Sequence, residues 1–189
     1  MAKAEIFQEI ILSENFIDDE LDKEIINILS IEKEKNNGVA LSNKGGFQTQ
    51  PIKNEIICNS ILKKCHELML NNFKFRRKCK IFIKNLWINS NKENCYNTPH
   101  IHPNSDFSGV YYLNVPQKNG EIVFYRDNSF GTSGLNDFLD SDYFIDHFKI
   151  KPQKGLLLLF PSSMRHMVNP HYEDLSRISI SFNIGLSNG

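Results

Sequence analysis

The spacing of apolar residues changes after Lys78, and this change restricts the possible fold more than any other feature of the chain. From that point, short segments with alternating apolar residues follow one another without a helical pattern between them. They predict strands around residues 81–88, 97–102, 108–115, 121–125, 143–150, 155–160, 166–168 and 177–184. Short strands at this density favour a mainly β sandwich or barrel over a parallel sheet with crossover helices.

The N-terminal part of the chain carries a different pattern. Residues 6–12 read as a strand, and residues 18–33 read as a helix capped by an aspartate. A second helix is predicted over residues 51–69, with a proline in its first turn. We therefore predict a single domain of 189 residues. In this domain, about residues 1–75 supply a strand and supporting helices, and about residues 76–186 form the β core.

The charge balance limits the classes of partner. The chain has 22 basic and 22 acidic residues, so its formal net charge is zero. General attraction to nucleic acid or to an anionic membrane is not indicated, although the basic run at 74–80 keeps nucleic acid as a minor alternative. No apolar run is long enough to cross a membrane. Four cysteines without Cys-x-x-Cys spacing indicate reduced thiols. These features predict a soluble, cytoplasmic protein.

Three histidines form a candidate metal site. His100 and His102 lie two positions apart on a predicted strand, so their side chains project to the same side. His166 follows a strongly apolar strand and a Pro-Ser-Ser bend, which places it at a strand end. Neutral imidazoles suit Fe(II), Zn(II) and Cu(II) alike. The other three histidines are expected to be surface or structural residues: His66, His147 and His171.

Arg177 is the candidate anion-binding residue. It lies on the last long predicted strand, eleven residues after His166, and its side chain shares a face with that of Ser179. A buried guanidinium requires an anion, and a carboxylate matches its geometry best. The alternative is a surface ion pair with Glu173 or Asp174.

These residues resemble the Fe(II)/2-oxoglutarate-dependent dioxygenases. The sequence is most similar to small oxygenases of bacteria and their viruses, on the basis of His-x-His-Pro at 100–103, Ser-Gly-Val-Tyr-Tyr at 108–112 and Phe-Pro-Ser at 160–162. The resemblance covers about residues 47–183. It implies a double-stranded β-helix, also called a jelly roll, with iron at its open end, and it is compatible with a phage protein that acts in the host cell.

The resemblance also implies roles for individual residues. His100 and His166 are expected to be the first and last iron ligands. Arg177, assisted by Ser179, is expected to bind the distal carboxylate of 2-oxoglutarate. Tyr112 is expected to donate a hydrogen bond to the same carboxylate. Trp87 and Asn89, on a neighbouring strand, are expected to line the pocket.

The second iron ligand departs from the pattern of the wider family. Most of its members have a carboxylate two residues after the first histidine, which gives a site of two histidines and one carboxylate. In this chain the position is His102, so three imidazoles are expected. Asp106, four residues further on, is the alternative ligand.

The expected reaction consumes 2-oxoglutarate and dioxygen and hydroxylates an unidentified substrate. Two other functions stay open: a three-histidine dioxygenase that does not use 2-oxoglutarate, and a non-catalytic jelly-roll binding or structural module. The segment 127–142 is expected to cover the substrate as a lid. The N-terminal helices could support a homodimer.

Overall fold

The computed structural model describes residues 9–126 and 145–189, and this part of the chain contains two helices and eleven strands. The helices are α1 (Asp19–Glu34) and α2 (Glu55–Asn72). The strands are β1 (Leu12–Asn15), β2 (Asn43–Lys44), β3 (Phe47–Gln48), β4 (Cys79–Asn91), β5 (Tyr96–His100), β6 (Phe107–Asn114), β7 (Ile122–Tyr125), β8 (His147–Ile150), β9 (Leu156–Pro161), β10 (His166–Val168) and β11 (Arg177–Asn188).

The strands form two antiparallel sheets that face each other. One sheet has the order β1-β9-β6-β11-β4-β3, and the other has the order β2-β5-β10-β7-β8. An apolar cluster fills the space between them and includes Val110, Ile122 and Phe160. Helices α1 and α2 pack against the opposite face of the six-stranded sheet. The predicted mainly β jelly roll with supporting N-terminal helices is confirmed.

The central strands of the larger sheet are buried on both faces. In β9, Leu157 and Leu159 belong to the cluster under the helices, whereas Leu156, Leu158 and Phe160 belong to the cluster between the sheets. Because successive side chains of a strand point to opposite faces, a strand covered on both sides is apolar throughout. This explains the unbroken apolar run that the sequence shows there.

The two helices start at capping residues. The Asp18 side chain accepts a hydrogen bond from the backbone N–H of Leu21 at 3.0 Å, as predicted for α1. The predicted start of the second helix was wrong. Asn54 caps α2, and the segment before it runs beside β4, where the N–H of Ile52 donates to the carbonyl of Leu86 at 2.9 Å. The proline at position 51 therefore belongs to an extended segment.

Some strand boundaries differ from the prediction. The first described strand starts at Leu12, which is buried and pairs with Leu159, whereas residues 9–11, which were predicted to belong to it, are not in a strand. Residues 1–8 lie outside the described part, as do the first two residues of the predicted strand 143–150 and the predicted lid at 127–142. The strands β2 and β3 were missed because two residues are too few to show an alternating pattern.

A β-bulge at Lys84 divides β4 into two parts. Asn85 pairs with Asn183 of β11, and Ile83 pairs with Ile184, so Lys84 is an extra residue without a partner. The bulge shifts the alternation by one position. As a result, Phe82 lies on the same face as the odd-numbered residues that follow Lys84, and Ile83 packs against the helix side.

Candidate active site

A pocket lies between the two sheets, and β4, β11 and β6 form one of its walls. Their registers place side chains in rows: Ser179 pairs with Asn89 on one side and with Tyr112 on the other, and Arg177 pairs with Asn91 in the next row. Strand residues two positions apart share a face, so both rows line the same space. This space measures about 530 Å³, including its open mouth.

The three predicted metal ligands converge on the opposite wall of this pocket. His100 ends β5, His166 begins β10, and the two are Cα partners in the smaller sheet. The backbone N–H of His102 donates to the carbonyl of Ser162 at 2.9 Å, which holds the segment after β5 against the turn before β10. The potential ligand atoms of the three histidines all lie within 4.8 Å of one another.

Backbone carbonyls fix the tautomers of two of these histidines. Nδ1 of His100 lies 2.7 Å from the carbonyl oxygen of Thr98, and Nδ1 of His166 lies 3.0 Å from that of Met164. A carbonyl oxygen only accepts, so each Nδ1 carries the proton and each Nε2 keeps its lone pair. Such hydrogen bonds orient histidines that bind metals in many proteins.

Burial keeps all three histidines neutral. It lowers the pKa of His100, lowers the pKa of His102 to about 4 and lowers that of His166 to about 3, and the neighbouring His100 contributes to the latter two shifts. At neutral pH a metal ion therefore displaces no proton from these imidazoles.

The Trp87 ring lies beside His102, with 5.7 Å between the ring centroids, and closes this side of the pocket.

Arg177 is buried without a carboxylate partner in the described part of the chain. Its Nη1 donates to the carbonyls of Gly120 and Asn169 at 3.2 and 3.3 Å, whereas its Nη2 is buried and has no hydrogen-bond partner. The alternative pairing with Glu173 is not formed, because that carboxylate accepts from the N–H groups of Gln117 and Lys118. An unpaired buried guanidinium is costly, and a carboxylate ligand would offset the cost.

Two hydroxyl groups accompany Arg177 in the pocket. Tyr112 and Ser179 are both buried and line it, and neither hydroxyl forms a hydrogen bond to another described residue. Burial raises the pKa of Tyr112 to about 12, so the phenol stays protonated and is able to donate. One unpaired guanidinium nitrogen and two unpaired hydroxyls thus form a site for a carboxylate.

A family model described as "Putative 2OG-Fe(II) oxygenase" matches residues 85–183, which are 99 of the 189 residues. The chain belongs to this family. It is therefore an oxidoreductase, a dioxygenase that depends on Fe(II) and on 2-oxoglutarate (2OG), with dioxygen as the second cosubstrate. The matched segment of this oxygenase contains the three histidines, Tyr112 and Arg177.

Solved structures with the same fold include two that contain 2OG. A prolyl-4-hydroxylase of Pseudomonas putida has a TM-score of 0.61 at 16% identity, over 93% of this oxygenase and 92% of that chain. The viral collagen prolyl hydroxylase of Paramecium bursaria Chlorella virus-1, solved with 2OG, has a TM-score of 0.60 at 16% identity, over 92% and 94%. HygX from Streptomyces hygroscopicus, with nickel and 2OG bound, has a TM-score of 0.59 at 8% identity, over 94% and 82%. None of the curated proteins matches the sequence.

The residues of this oxygenase fit both groups that its family requires. Two imidazoles present an Nε2 with a free lone pair, a third lies beside them, and all three are neutral. The unpaired Nη2 of Arg177 fits one end of a dicarboxylate.

No helix in residues 9–126 or 145–189 is long and apolar enough to cross a membrane.

Asp106, the alternative ligand, is engaged elsewhere in the oxygenase. Its carboxylate accepts a hydrogen bond from the backbone N–H of Leu186 at 2.7 Å, and its own N–H donates to the carbonyl of Ile184 at 2.9 Å. These contacts tie the segment after His102 to β11. Asp106 is not part of the histidine cluster.

Two asparagines beside Arg177 were not predicted. Nδ2 of Asn43 donates to Oδ1 of Asn91 at 2.8 Å, which leaves the Nδ2 of Asn91 without a partner among the described residues. Asn91 lines the pocket as the Cα partner of Arg177. A Cβ at Gly46 would lie 2.2 Å from Oδ1 of Asn91, so only glycine permits this close approach. The proximity of residue 43 depends on the pairing of β2 with β5, which no local pattern reveals.

Trp87 and Asn89 both line the pocket. The amide of Asn89 donates to the hydroxyl of Ser181 at 3.1 Å and is therefore already paired. The histidines outside the cluster behave as structural or surface residues. His171 is buried and bonded to the carbonyl of Leu175, whereas His147 is exposed beside Asp146.

Proposed function

We propose that this oxygenase hydroxylates a C–H bond of its substrate, with Fe(II) held by His100, His102 and His166 and with the distal carboxylate of 2OG held by Arg177. The observation that carries the proposal is the buried, unpaired Nη2 of Arg177 in the same pocket as three neutral histidines. A metalloenzyme that does not use 2OG would not need a buried cation at this place.

Arg177 orients the cosubstrate. Its Nη1 is fixed by two backbone carbonyls, so the direction of the guanidinium is set before the ligand binds. Preorganised donors bind an anion with little reorganisation. Tyr112 and Ser179 are Cα partners on neighbouring strands and line the same pocket, and we expect both to donate to this carboxylate. Among the described residues no acidic side chain lines the pocket, so none of them repels a dianion.

The metal would carry out the oxidation, and the protein would provide the metal ligands and an apolar pocket around them. Fe(II) held by the three histidines would supply the redox chemistry in which dioxygen and 2OG give succinate, carbon dioxide and a hydroxyl group on the substrate. Val110, Ile122 and Phe160 form an apolar wall that limits the access of water. With a histidine in place of the usual carboxylate, the site carries one more positive charge, which favours an anionic cosubstrate.

Turnover without substrate tests this proposal. The protein, supplied with Fe(II), 2OG and dioxygen, is expected to form succinate slowly and in equal amount to the carbon dioxide released, and a candidate substrate is expected to accelerate the reaction. The His166→Ala variant, analysed in parallel, is expected to form none. If the folded, iron-loaded protein forms no succinate with any member of a broad substrate panel, the proposal fails.

Two neighbouring tyrosines offer a matched pair of variants. The Tyr111 hydroxyl donates to Oδ1 of Asp22 at 2.8 Å on the helix side of the sheet, whereas Tyr112 faces the pocket. Tyr111→Phe is expected to lower the free energy of unfolding by about 1 kcal/mol without changing 2OG affinity. Tyr112→Phe is expected to weaken 2OG binding by roughly 3- to 10-fold, at nearly unchanged stability. Chemical denaturation and 2OG titration measure the two quantities, and an exchange of the two effects would contradict the assignment.

Asn91 is proposed as a further donor to the bound carboxylate. Asn91→Ala is expected to weaken 2OG binding about tenfold, as the loss of one hydrogen bond to a charged group predicts. Asn91→Asp, nearly identical in shape, is expected to weaken it more, because it places a negative charge beside a dianion. Asn43→Ala keeps the Asn91 amide but removes the hydrogen bond that orients it, so a smaller loss of 2OG affinity is expected. Titration of 2OG into each variant checks the order; a harmless Asn91→Asp would contradict the role.

We further propose that the enzyme acts in the cytoplasm as one domain over residues 1–189. All four cysteines are free, which suits a reducing compartment. The N-terminal part contributes β1 and β3 to one sheet and β2 to the other, which supports a single folding unit. A homodimer through α1 and α2 stays a prediction.

A further inference from the structure

Positive charge is concentrated next to the active site. Between Glu67 and Glu93 the sequence contains seven lysines and arginines and no aspartate or glutamate, although the whole chain is neutral. Six of the seven lie in residues 74–84, here named the basic arm. Five of them are exposed, and their side chains form no hydrogen bond or ion pair with another described residue: Lys74, Arg76, Arg77, Lys78 and Lys80.

The basic arm is continuous with the wall of the active site. Its residues 79–84 form the first half of β4, and the second half of the same strand carries Trp87, whose ring lies 5.7 Å from that of His102. Nζ of Lys84 donates to the carbonyl of Asn104, in the segment that follows His102. The bond from the N–H of Leu186 to Asp106 joins the same segment to the partner strand. The arm and the metal-binding segment therefore hold each other in place.

The β-bulge at Lys84 directs two side chains of the arm toward the pocket side. Because the alternation shifts by one residue, Lys80 and Phe82 share the face of Trp87. The Phe82 ring covers Gly185 on this face, where a Cβ would lie 2.5 Å from the ring. A ligand that lies along the face would thus pass from exposed cations to the mouth of the pocket.

One edge of the arm is open to strand pairing. β4 pairs with β11 along its whole length, but on its other side β3 reaches only Asn89 and Ser90. The backbone of residues 49–52 extends this contact as far as the carbonyl of Leu86. Residues 79–84 have no strand on that side in the described part of the chain. An open edge of this kind pairs with extended polypeptides through main-chain hydrogen bonds.

We propose that the basic arm docks an extended, acidic segment of a polypeptide, and that a protein carrying such a segment is the substrate class. This inference rests on the proposed function, since it takes the pocket as the place of oxidation. At about 3.3 Å per residue, Lys80 lies roughly 23 Å along the strand from Trp87. In an extended substrate, an acidic residue that contacts Lys80 is therefore expected about seven positions from the residue beside Trp87.

The structure favours a polypeptide ligand over nucleic acid. It also favours ligand binding over a role in which the basic residues only prevent aggregation. Single-stranded nucleic acid binds to exposed aromatic rings, but Phe73 and Phe75 of this region pack against the core under the sheet. Lysines on an edge strand also prevent aggregation. That role does not account for Arg76 and Arg77, which precede β4.

Labelled 16-residue probes test the inference: a peptide of alternating Glu and Ser, its Gln counterpart, and a 16-nucleotide oligo-dT. They are titrated by fluorescence anisotropy into the full-length protein with Fe(II) and 2OG under anaerobic conditions. The arm variant is R76E/R77E/K78E. The control is K23E/K63E/K151E, which changes the net charge equally through exposed lysines on α1, on α2 and just after β8, away from the arm.

The Glu peptide is expected to bind at least tenfold more tightly than the Gln peptide and more tightly than oligo-dT. The arm variant is expected to lose at least tenfold in this affinity, and the control is expected to stay within twofold of wild type. Docking is also expected to change the fluorescence of Trp87, the single tryptophan of the chain. Equal binding of both peptides, tighter binding of oligo-dT, or equal losses in the two variants would overturn the inference.

The same samples separate this inference from the proposed function. If the wild-type protein binds 2OG and forms succinate but does not prefer the acidic peptide, only the docking inference fails. If it does not bind 2OG, the proposed function fails whatever the peptides do. The arm variant is expected to bind 2OG within about threefold of wild type, because its three changed residues do not line the pocket.

Discussion

Replacement of Arg177 by methionine is expected to weaken 2OG binding at least about 100-fold, which corresponds to roughly 3 kcal/mol. Methionine fills much of the same space but removes the charge and the fork of donors that a carboxylate requires. Replacement by lysine keeps the charge but not the fork, so an intermediate loss of about tenfold is expected. Fe(II) binding is expected to be unchanged in both variants.

Ligand-induced stabilisation measures this effect. At a 2OG concentration of 100 times the dissociation constant, the wild-type protein is expected to gain about 2.7 kcal/mol of stability. The methionine variant is expected to gain almost nothing at the same concentration. Arg77→Met is a matched control, because Arg77 is exposed and does not line the pocket. Equal stabilisation of wild type and Arg177→Met would show that 2OG binds elsewhere.

Substitutions in the histidine cluster are expected to lower the affinity for the metal. His166→Ala removes the most deeply buried of the three imidazoles, and a loss of at least about 100-fold in Fe(II) affinity is expected. His102→Ala is expected to lose at least tenfold, whereas His102→Asp, which restores the carboxylate common in the family, is expected to retain most of the affinity. His66→Ala, an exposed position on α2, serves as the control.

Asp106→Ala distinguishes the two candidates for the second ligand. The Asp106 carboxylate bonds to the N–H of Leu186, so this variant is expected to lose some stability and little metal affinity. The visible absorption of bound Co(II), titrated into each variant, reports the affinity. If Asp106→Ala loses the metal and His102→Ala keeps it, Asp106 is the ligand and the three-imidazole site is wrong.

Much of the fold was predictable because both faces of its central strands are buried. The apolar run Leu156–Phe160 identifies β9, and the capping side chain of Asp18 marks the start of α1. The sequence placed His100 and His102 on one strand, whereas β5 ends at His100 and His102 follows it, held by the hydrogen bond to Ser162. Arg177 could be identified because an arginine on an otherwise apolar strand requires a partner.

Other features depend on contacts between distant segments. The second helix starts at Asn54 because residues 49–52 run beside β4, and no local signal distinguishes this from a helix that begins at the proline. The bond between Asn43 and Asn91 joins two different sheets. Asp106 has a suitable spacing for a metal ligand, but its partner is a backbone N–H eighty residues away. Long-range pairing decided each of these cases.

The central claim is that the three histidines and Arg177 hold Fe(II) and 2OG in one pocket. Its most direct test is anaerobic addition of Fe(II) and 2OG to the protein, followed by visible absorption spectroscopy. A charge-transfer band is expected only when both are present, and it is expected to disappear in His166→Ala and to require far more 2OG in Arg177→Met. A folded wild-type protein that binds iron yet develops no band at saturating 2OG would contradict the claim.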